Sequence, residues 1–331
     1  MDVREIDGAD PRVARRLWEI GRDAEAAHRR YDFYWPWPTA EVTLRDGRAG
    51  WETRLLGGFN DEELVAVATV SAPLLDNTHL AYVGVFVTPS RQRRGFGRAL
   101  ADRAESAARD LGRRVLGTEA YAPAEEQSAG LAFALSLGYT AALEDTIKVV
   151  ELDATEPSWA ALEKEAAARS VGYTLVTWHD AVPAAHVEGY CRLNEAFYEE
   201  APMGELDFEP EVWDEDRTRK READNHAAGR HDVSTAVLSP DGEMVGLTEI
   251  MVNHHAAHRG VQSGTLVLPG HRGRALGLAM KVRNQRALRE RFPGCKILMT
   301  GNAGVNLAMN ALNDRLGYRP IERCVELQKE L

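Results

Sequence analysis

One stretch of this chain occurs twice, 180 residues apart. Val87-Thr88-Pro89-Ser90-Arg91-Gln92-Arg93-Arg94-Gly95-Phe96-Gly97-Arg98 is answered by Val267-Leu268-Pro269-Gly270-His271-Arg272-Gly273-Arg274-Ala275-Leu276-Gly277-Leu278. Pro89 matches Pro269, Gln92 matches Arg272, and Gly97 matches Gly277. A second landmark keeps nearly the same interval: Leu137-Gly138-Tyr139 recurs as Leu316-Gly317-Tyr318, 179 residues later. Two landmarks that hold their separation in both halves point to a duplicated domain.

Each copy of the motif follows a β-like apolar run and opens a helical one. Proline cannot extend a strand ladder, so the strand ends and the chain turns into a helix near the glycines. The first amides of a helix have no internal partners and lie at the positive end of its dipole. The arrangement is a cradle for a pyrophosphate or similar anion. Gly95 and Gly97 lack a Cβ and let a ligand approach the backbone. Arg91, Arg93, Arg94 and Arg98 add positive charge. Neither copy has the Gly-Lys-Ser/Thr end of a P-loop, and the third glycine of the dinucleotide fingerprint is missing.

Gln92-x-x-Gly95-x-Gly97 after a Val-x-Pro strand end resembles motif A of the GNAT N-acetyltransferases. The second copy, Arg272-x-x-Ala275-x-Gly277, departs from that pattern with Ala in place of Gly. The resemblance extends over nearly the whole chain, as two GNAT domains in tandem, and is closest to the bacterial two-domain group that includes mycothiol synthase. Thr300-x-Asn302-Ala303-x-x-Asn306-x-x-Met309-x-x-x-Asn313 with the following Leu-Gly-Tyr resembles that group's second-domain ending, and Asp76-Asn77 resembles its first domain. The implied fold is α/β, each domain a mixed, mostly antiparallel sheet flanked by helices. The implied cofactor is acetyl-CoA. Its binding residues by resemblance are Val85, Phe86, Val87, Gln92, Arg93, Arg94, Gly95, Phe96, Gly97 and Arg98 in the first copy. In the second they are Thr265, Leu266, Val267, Arg272, Gly273, Arg274, Ala275, Leu276, Gly277, Asn302, Asn306 and Met309.

Periodicity supports the same organisation. Val13, Leu17, Ile20 and Ala24 share a helical face, and apolar runs at Leu64–Ala72 and Leu80–Val87 read as strands. Helices are expected over Arg98–Leu111, Ala129–Leu137, Ala275–Arg291 and Asn306–Leu316, and a closing strand of the first half near Thr146–Leu152. The domain expectation is therefore residues 1–152, a linker helix over 153–170, and a second domain over 171–331. At 331 residues each half is long enough for its own core.

A net charge of −11 argues against nucleic acid, whose backbone demands concentrated Lys and Arg. The three cysteines, Cys191, Cys295 and Cys324, have no short spacing and read as reduced, buried thiols of a cytoplasmic protein. No apolar run approaches a membrane span. A small-molecule amine is the expected partner, and the tandem repeat is compatible with a monomer or a homodimer.

Acyl transfer to an amine needs a placed thioester, a stabilised oxyanion and a deprotonated nitrogen. By resemblance, main-chain amides of Val85–Val87 and Thr265–Val267 polarise the thioester carbonyl. Positions where relatives often carry a Glu base hold Ala81 and Val261, and those of a Tyr acid hold Ala134 and Asn313. Asn313 can hydrogen-bond a thiolate but cannot protonate it. Glu249, on the preceding strand, is the candidate base, acting through water; the alternative is a solvated or salt-bridged strand residue. His254, His255 and His258 titrate in a useful range, though loop histidines are commonly just solvated, and their spacing is not that of a metal site.

Asn306 by resemblance contacts the pantetheine arm or phosphates, and also suits a helix cap; Gln127 is its counterpart in the first half. The aromatic cluster Tyr31, Phe33, Tyr34, Trp35 and Trp37 is either an acceptor pocket or a domain-interface or core cluster. The function expected is an acetyl-CoA-dependent N-acetyltransferase acting on a small-molecule primary amine by direct transfer in a ternary complex, with the second domain catalytic. The alternative is a non-catalytic, regulatory acyl-CoA-binding protein. The missing Glu and Tyr argue against mycothiol synthase itself.

Overall fold

The computed structural model describes residues 2–27, 29–123 and 128–331. In chain order the elements are β1 (Asp2–Glu5), α1 (Pro11–Ala26), α2 (Trp37–Asp46), β2 (Trp51–Asn60), β3 (Glu63–Pro73), β4 (Leu80–Val87), α3 (Phe96–Asp110), β5 (Val115–Ala122), α4 (Ala129–Ser136) and β6 (Thr140–Glu151). They continue with α5 (Leu152–Thr155), α6 (Trp159–Arg169), β7 (Thr174–His179), α7 (Val187–Glu200), α8 (Glu215–Ala227), β8 (Arg230–Leu238), β9 (Met244–Asn253), β10 (Arg259–Val267), α9 (Leu276–Arg291), β11 (Ile297–Ala303), α10 (Leu307–Arg315) and β12 (Arg319–Glu330). Among the described residues no helix is long and apolar enough to cross a membrane.

Two compact units form, but not at the expected boundary. The first comprises residues 1–144, 204–209 and 323–331, and the second 145–203 and 210–322. Thr146–Leu152, expected to close the first half, instead pairs with β11, from Glu151 against Ile297 to Asp145 against Ala303. The C-terminal strand makes the reciprocal exchange: Arg323 to Glu330 run antiparallel to Ala122 to Val115 of β5. An alternating pattern marks a strand and its inner face, but not which edge it will join. The expected linker 153–170 is also integral to the second unit, with Trp159 of α6 fully buried in the core that holds α9.

The sheet of the first unit runs β1-β2-β3-β4-β5-β12, antiparallel except at β4·β5. Neighbouring residues face opposite layers, as strand geometry requires. Leu56, Ala66 and Ala68 pack under α3, while Leu55, Phe59 and Val67 pack with Leu17 and Ile20 of α1. The second unit repeats the plan as β6-β11-β10-β9-β8-β7, parallel only at β10·β11. Val233, Ile250 and Val252 face α9, and Trp178, Ala236 and Leu247 face α7.

The aromatic cluster of the first unit folds back on α1. Trp18 donates its indole N–H to the carbonyl of Trp35 at 2.7 Å, and its ring meets Trp37 edge-on at 5.8 Å. Asn77, held in a left-handed conformation with φ of 51°, clasps the 204–209 segment. Its side chain donates to the carbonyl of Glu209 at 3.0 Å and accepts from the Glu209 amide at 2.7 Å. All three cysteines are free and buried.

Candidate functional site

Among the described residues each unit has one parallel strand pair, and it is short. The β4·β5 ladder stops after Leu80–Tyr82 against Val115–Gly117, and β10·β11 stops after Arg259–Val261 against Ile297–Met299. Beyond those points the strands part, and main-chain groups on their inner edges lose their ladder. A threonine takes up the first carbonyl on each side. Thr118 donates to Val83 at 2.8 Å, and Thr300 to Gln262 at 3.1 Å. The parting strands lead straight into the repeated motif.

The motif has the same backbone in both units. A short 3-10 turn, Pro89–Arg91 or Pro269–His271, is followed by two left-handed residues. These are Arg93 and Gly95 in the first copy, and Gly273 and Ala275 in the second. Gln92 and Arg272 brace the loop by donating to the carbonyls of Val87 at 3.3 Å and Val267 at 2.8 Å. Gly95 and Ala275 are the residues preceding α3 and α9, and neither helix start is capped by a side chain. The first-turn amides are thus offered outward beside exposed Arg94 and Arg274. This donor set, an uncapped helix N-terminus with guanidinium groups beside it, fits the pyrophosphate of an acyl-CoA.

Gly97 and Gly277 also have a packing task. A Cβ on Gly97 would come within 3.2 Å of Phe133, and one on Gly277 within 3.1 Å of Leu312. Their bareness seats α4 and α10 against the motif helices.

The two units differ beside the parting strands. β4 pairs with β3 in unbroken register from Ala66–Val87 to Ser71–Tyr82. β10 carries a bulge: Gln262 lies opposite Ile250, but Thr265 lies opposite Thr248. The extra residue turns main-chain groups of Ser263 and Gly264 out of the ladder, the usual consequence of a bulge and a common device near active sites. It also shifts the count, so that Val261 corresponds in its ladder to Tyr82 of the first repeat and not to Ala81.

Glu249 lies on β9 next to this bulge, on the face covered by α7 and α8. One of its carboxylate oxygens accepts from the Tyr190 hydroxyl at 3.3 Å and from Ser234 at 3.2 Å, and lies 3.5 Å from Arg221. Arg221 also donates to Tyr190 and faces Asp232 at 3.7 Å. Burial pushes the Asp232 carboxyl up to about 6; the charge of Glu249 adds to the shift and Arg221 opposes it. Asp232 was not visible as a candidate from sequence, though a polar residue two places before Ser234 on an inward-facing strand was an available signal.

Asn313 does not face open solvent. It is fully buried; Lys281 donates to its Oδ1 at 2.6 Å, and its Nδ2 donates to Asn302. Burial pushes the Lys281 ammonium down to about 7, and the charge of Lys148 adds to the shift. Lys281 was missed from sequence, although Lys281, Asn284 and Gln285 fall at the spacing of one inward helical face. Asn306 caps α10, accepting from the Met309 amide at 3.2 Å. Its counterpart Gln127 lies outside the described residues. His254 is exposed and lies 3.2 Å from His231.

Comparison with known proteins bears on the fold. Residues 22–139 match the family model of the Acetyltransferase (GNAT) family. A search of curated proteins found no match. Among solved structures, a tandem GNAT protein from the clavulanic acid biosynthesis pathway, solved without AcCoA, has a TM-score of 0.81 at 23% identity, covering 99% of this chain and 98% of its own. A GCN5-related N-acetyltransferase from Sphaerobacter thermophilus has a TM-score of 0.66 at 20% identity, covering 99% and 95%. A putative acetyltransferase from Pyrococcus horikoshii has a TM-score of 0.58 at 12% identity, covering 100% and 89%. The chain therefore has the α/β GNAT fold, matched over its whole length by a tandem GNAT structure, and its first repeat carries the family's sequence pattern.

Proposed function

We propose that this protein is an acetyl-CoA-dependent N-acetyltransferase acting on a primary amine of a small molecule, with the chemistry in the second unit. The observation that carries the reading is the pairing of an uncapped motif helix with a parted parallel strand pair, joined in the second unit alone by the β10 bulge. Acetyl-CoA would supply an acyl group activated as a thioester, open to direct attack by the amine in a ternary complex.

The loop Arg272–Ala275 and the first amides of α9 would hold the pyrophosphate, with Arg274 beside them. Thr265–Val267, following the bulge, would offer an amide to the thioester oxygen, a contribution worth several kcal/mol to such reactions. Asn306 would steady the pantetheine arm while capping α10. Glu249, beside Asp232 and Arg221, would take the proton from the acceptor's ammonium through water. Two carboxylates share one guanidinium here, so the cluster favours a cationic acceptor.

Titration calorimetry with acetyl-CoA on wild type, Arg94→Glu and Arg274→Glu tests this assignment, followed by CoA release across an amine panel. Reversing one phosphate-facing charge removes a charge-assisted hydrogen bond worth roughly 1.5–3 kcal/mol, or about ten- to a hundredfold in affinity. The expected outcome is that Arg274→Glu loses both affinity and turnover while Arg94→Glu keeps turnover. Turnover lost only in Arg94→Glu would move the chemistry to the first unit. Tight binding with no turnover on any amine would favour the regulatory, non-catalytic reading, for which the engagement of one Glu249 carboxylate oxygen by Tyr190, Ser234 and Arg221 is the supporting observation.

A further inference from the structure

The polar groups buried beside α9 occupy places where the fold itself asks for none. Counted from Gly97 and Gly277, Lys281 stands where the first repeat has Ala101; counted from Gly138 and Gly317, Asn313 stands where it has Ala134. Counted from the β4·β5 and β10·β11 ladders, Asn302 stands where it has Ala120. All three alanines are buried in the first unit. The same helix, strand end and following helix therefore close over methyl groups in one copy and over an ammonium and two carboxamides in the other. Burying an ammonium is costly, so packing does not account for the trio. Breaches of the local rule that bring no structural gain are expected where function resides.

The three side chains form one directed chain of hydrogen bonds. Lys281 Nζ donates to Asn313 Oδ1 at 2.6 Å, and Asn313 Nδ2 donates to Asn302 Oδ1. With Lys281 donating, Asn313 turns its oxygen to Lys281 and its nitrogen to Asn302. Such chains polarise each member in turn. Asn302 lies on β11 beyond the last β10·β11 pair and is only partly buried, and among the described residues its own Nδ2 donates to no protein group. The other charged groups around Lys281 are accounted for. Lys148 of β6 is paired with Asp314 of α10 at 2.7 Å, and the Tyr318 ring lies 5.5 Å from Lys281 Nζ.

We propose that Lys281 is a positioning residue that, through Asn313, holds the Asn302 amide where β10 and β11 part, as a donor to the thiolate released from an acyl-CoA. This rests on the acyl-CoA reading of the second unit. In the transfer, the amine nitrogen bonds to the carbonyl carbon and the C–S bond breaks, leaving its electron pair on sulfur. The proton shed by the nitrogen finally returns to that sulfur. Asn302 stabilises the charge on sulfur in between and gives up no proton, since a carboxamide is not an acid at neutral pH.

The test follows the ionisation of bound CoA itself, by thiolate ultraviolet absorbance of the full chain, as a difference against the acetyl-CoA-bound protein. Wild type, Lys281→Met and Asn302→Ala are compared, with acetyl-CoA affinity measured for each. The expected result is a bound thiol that ionises about one pH unit lower in wild type than in either variant, a tenfold effect on its equilibrium, with acetyl-CoA affinity within about threefold. CoA bound by all three proteins with the same thiol ionisation would overturn the proposal. So would an equal loss of acetyl-CoA and CoA affinity, which would make the trio a shaping element only. Asn302→Ala leaves the buried lysine intact and decides the matter should Lys281→Met fail to fold. Failure of wild type to bind CoA is a separate result, which removes the acyl-CoA reading beneath.

Discussion

Two backbone positions in each motif loop are left-handed, and each copy supplies glycine at only one of them. In the first copy Arg93 bears the strain and Gly95 is free of it; in the second Gly273 is free and Ala275, with φ of 56°, bears it. A residue with a Cβ pays roughly 1–2 kcal/mol in that region. The Ala at 275 is thus a conformational matter as much as one of ligand approach, and the sequence reading saw only the latter. Ala275→Gly is expected to stabilise the second unit by about 1 kcal/mol, less the entropy that glycine returns to the unfolded chain. Urea unfolding measures it; a variant less stable than wild type would show that Ala275 packs in a way its backbone does not reveal.

At the scale of elements, most of the helices and strands follow from period alone, as at β4, where Leu80–Val87 is both the expected and the observed span. The β10 bulge was not legible, because a one-residue insertion leaves the alternation intact on either side and only the partner strand exposes it. Counting back from Pro269 consequently slipped by one residue against the first repeat.

The inward face of α9 was readable as spacing, but not as chemistry, since a lysine on a helix is ordinarily solvated. Its burial has a consequence for stability. The Lys281 ammonium is held near 7 in the folded chain against an ordinary 10.5. Between those values the unfolded chain binds a proton that the folded chain does not, so this group favours folding increasingly as pH rises. The contribution is complete above the ordinary value and is lost as pH falls through 7. Wild type should therefore gain stability relative to Lys281→Met between about pH 7 and 10, measured as the difference in urea midpoints. A difference that stays constant with pH would mean that Lys281 keeps its proton in the folded protein.

For the whole molecule, the exchange of closing strands decides what can be separated. The first unit's sheet needs residues 323–330 against β5, and the second needs 145–151 against β11. Removing residues 323–331 should strip β12 from the first unit and bare Leu116 and Ala120, which share one core with Val325 and Leu327 of the lost strand. Hydrogen exchange is expected to show the amides of β5 losing protection in that truncated chain while those of β8 and β9 keep theirs. Protection unchanged in β5 would mean the strand contributes nothing to the unit it joins. For the same reason a chain cut at residue 152 should not give two soluble halves.

The sequence by itself determined the duplication, the GNAT fold, the position of both motif loops and most element spans, because these rest on local period and on residues with few conformational options. The tertiary structure alone decided which sheet each closing strand joins, where β10 is bulged, that Asn313 faces Lys281 rather than an open cleft, and that Glu249 belongs to a shared cluster with Arg221 and Asp232. Those outcomes depend on contacts between residues far apart in the chain. Periodicity reports the face a residue takes, and only packing determines its neighbours.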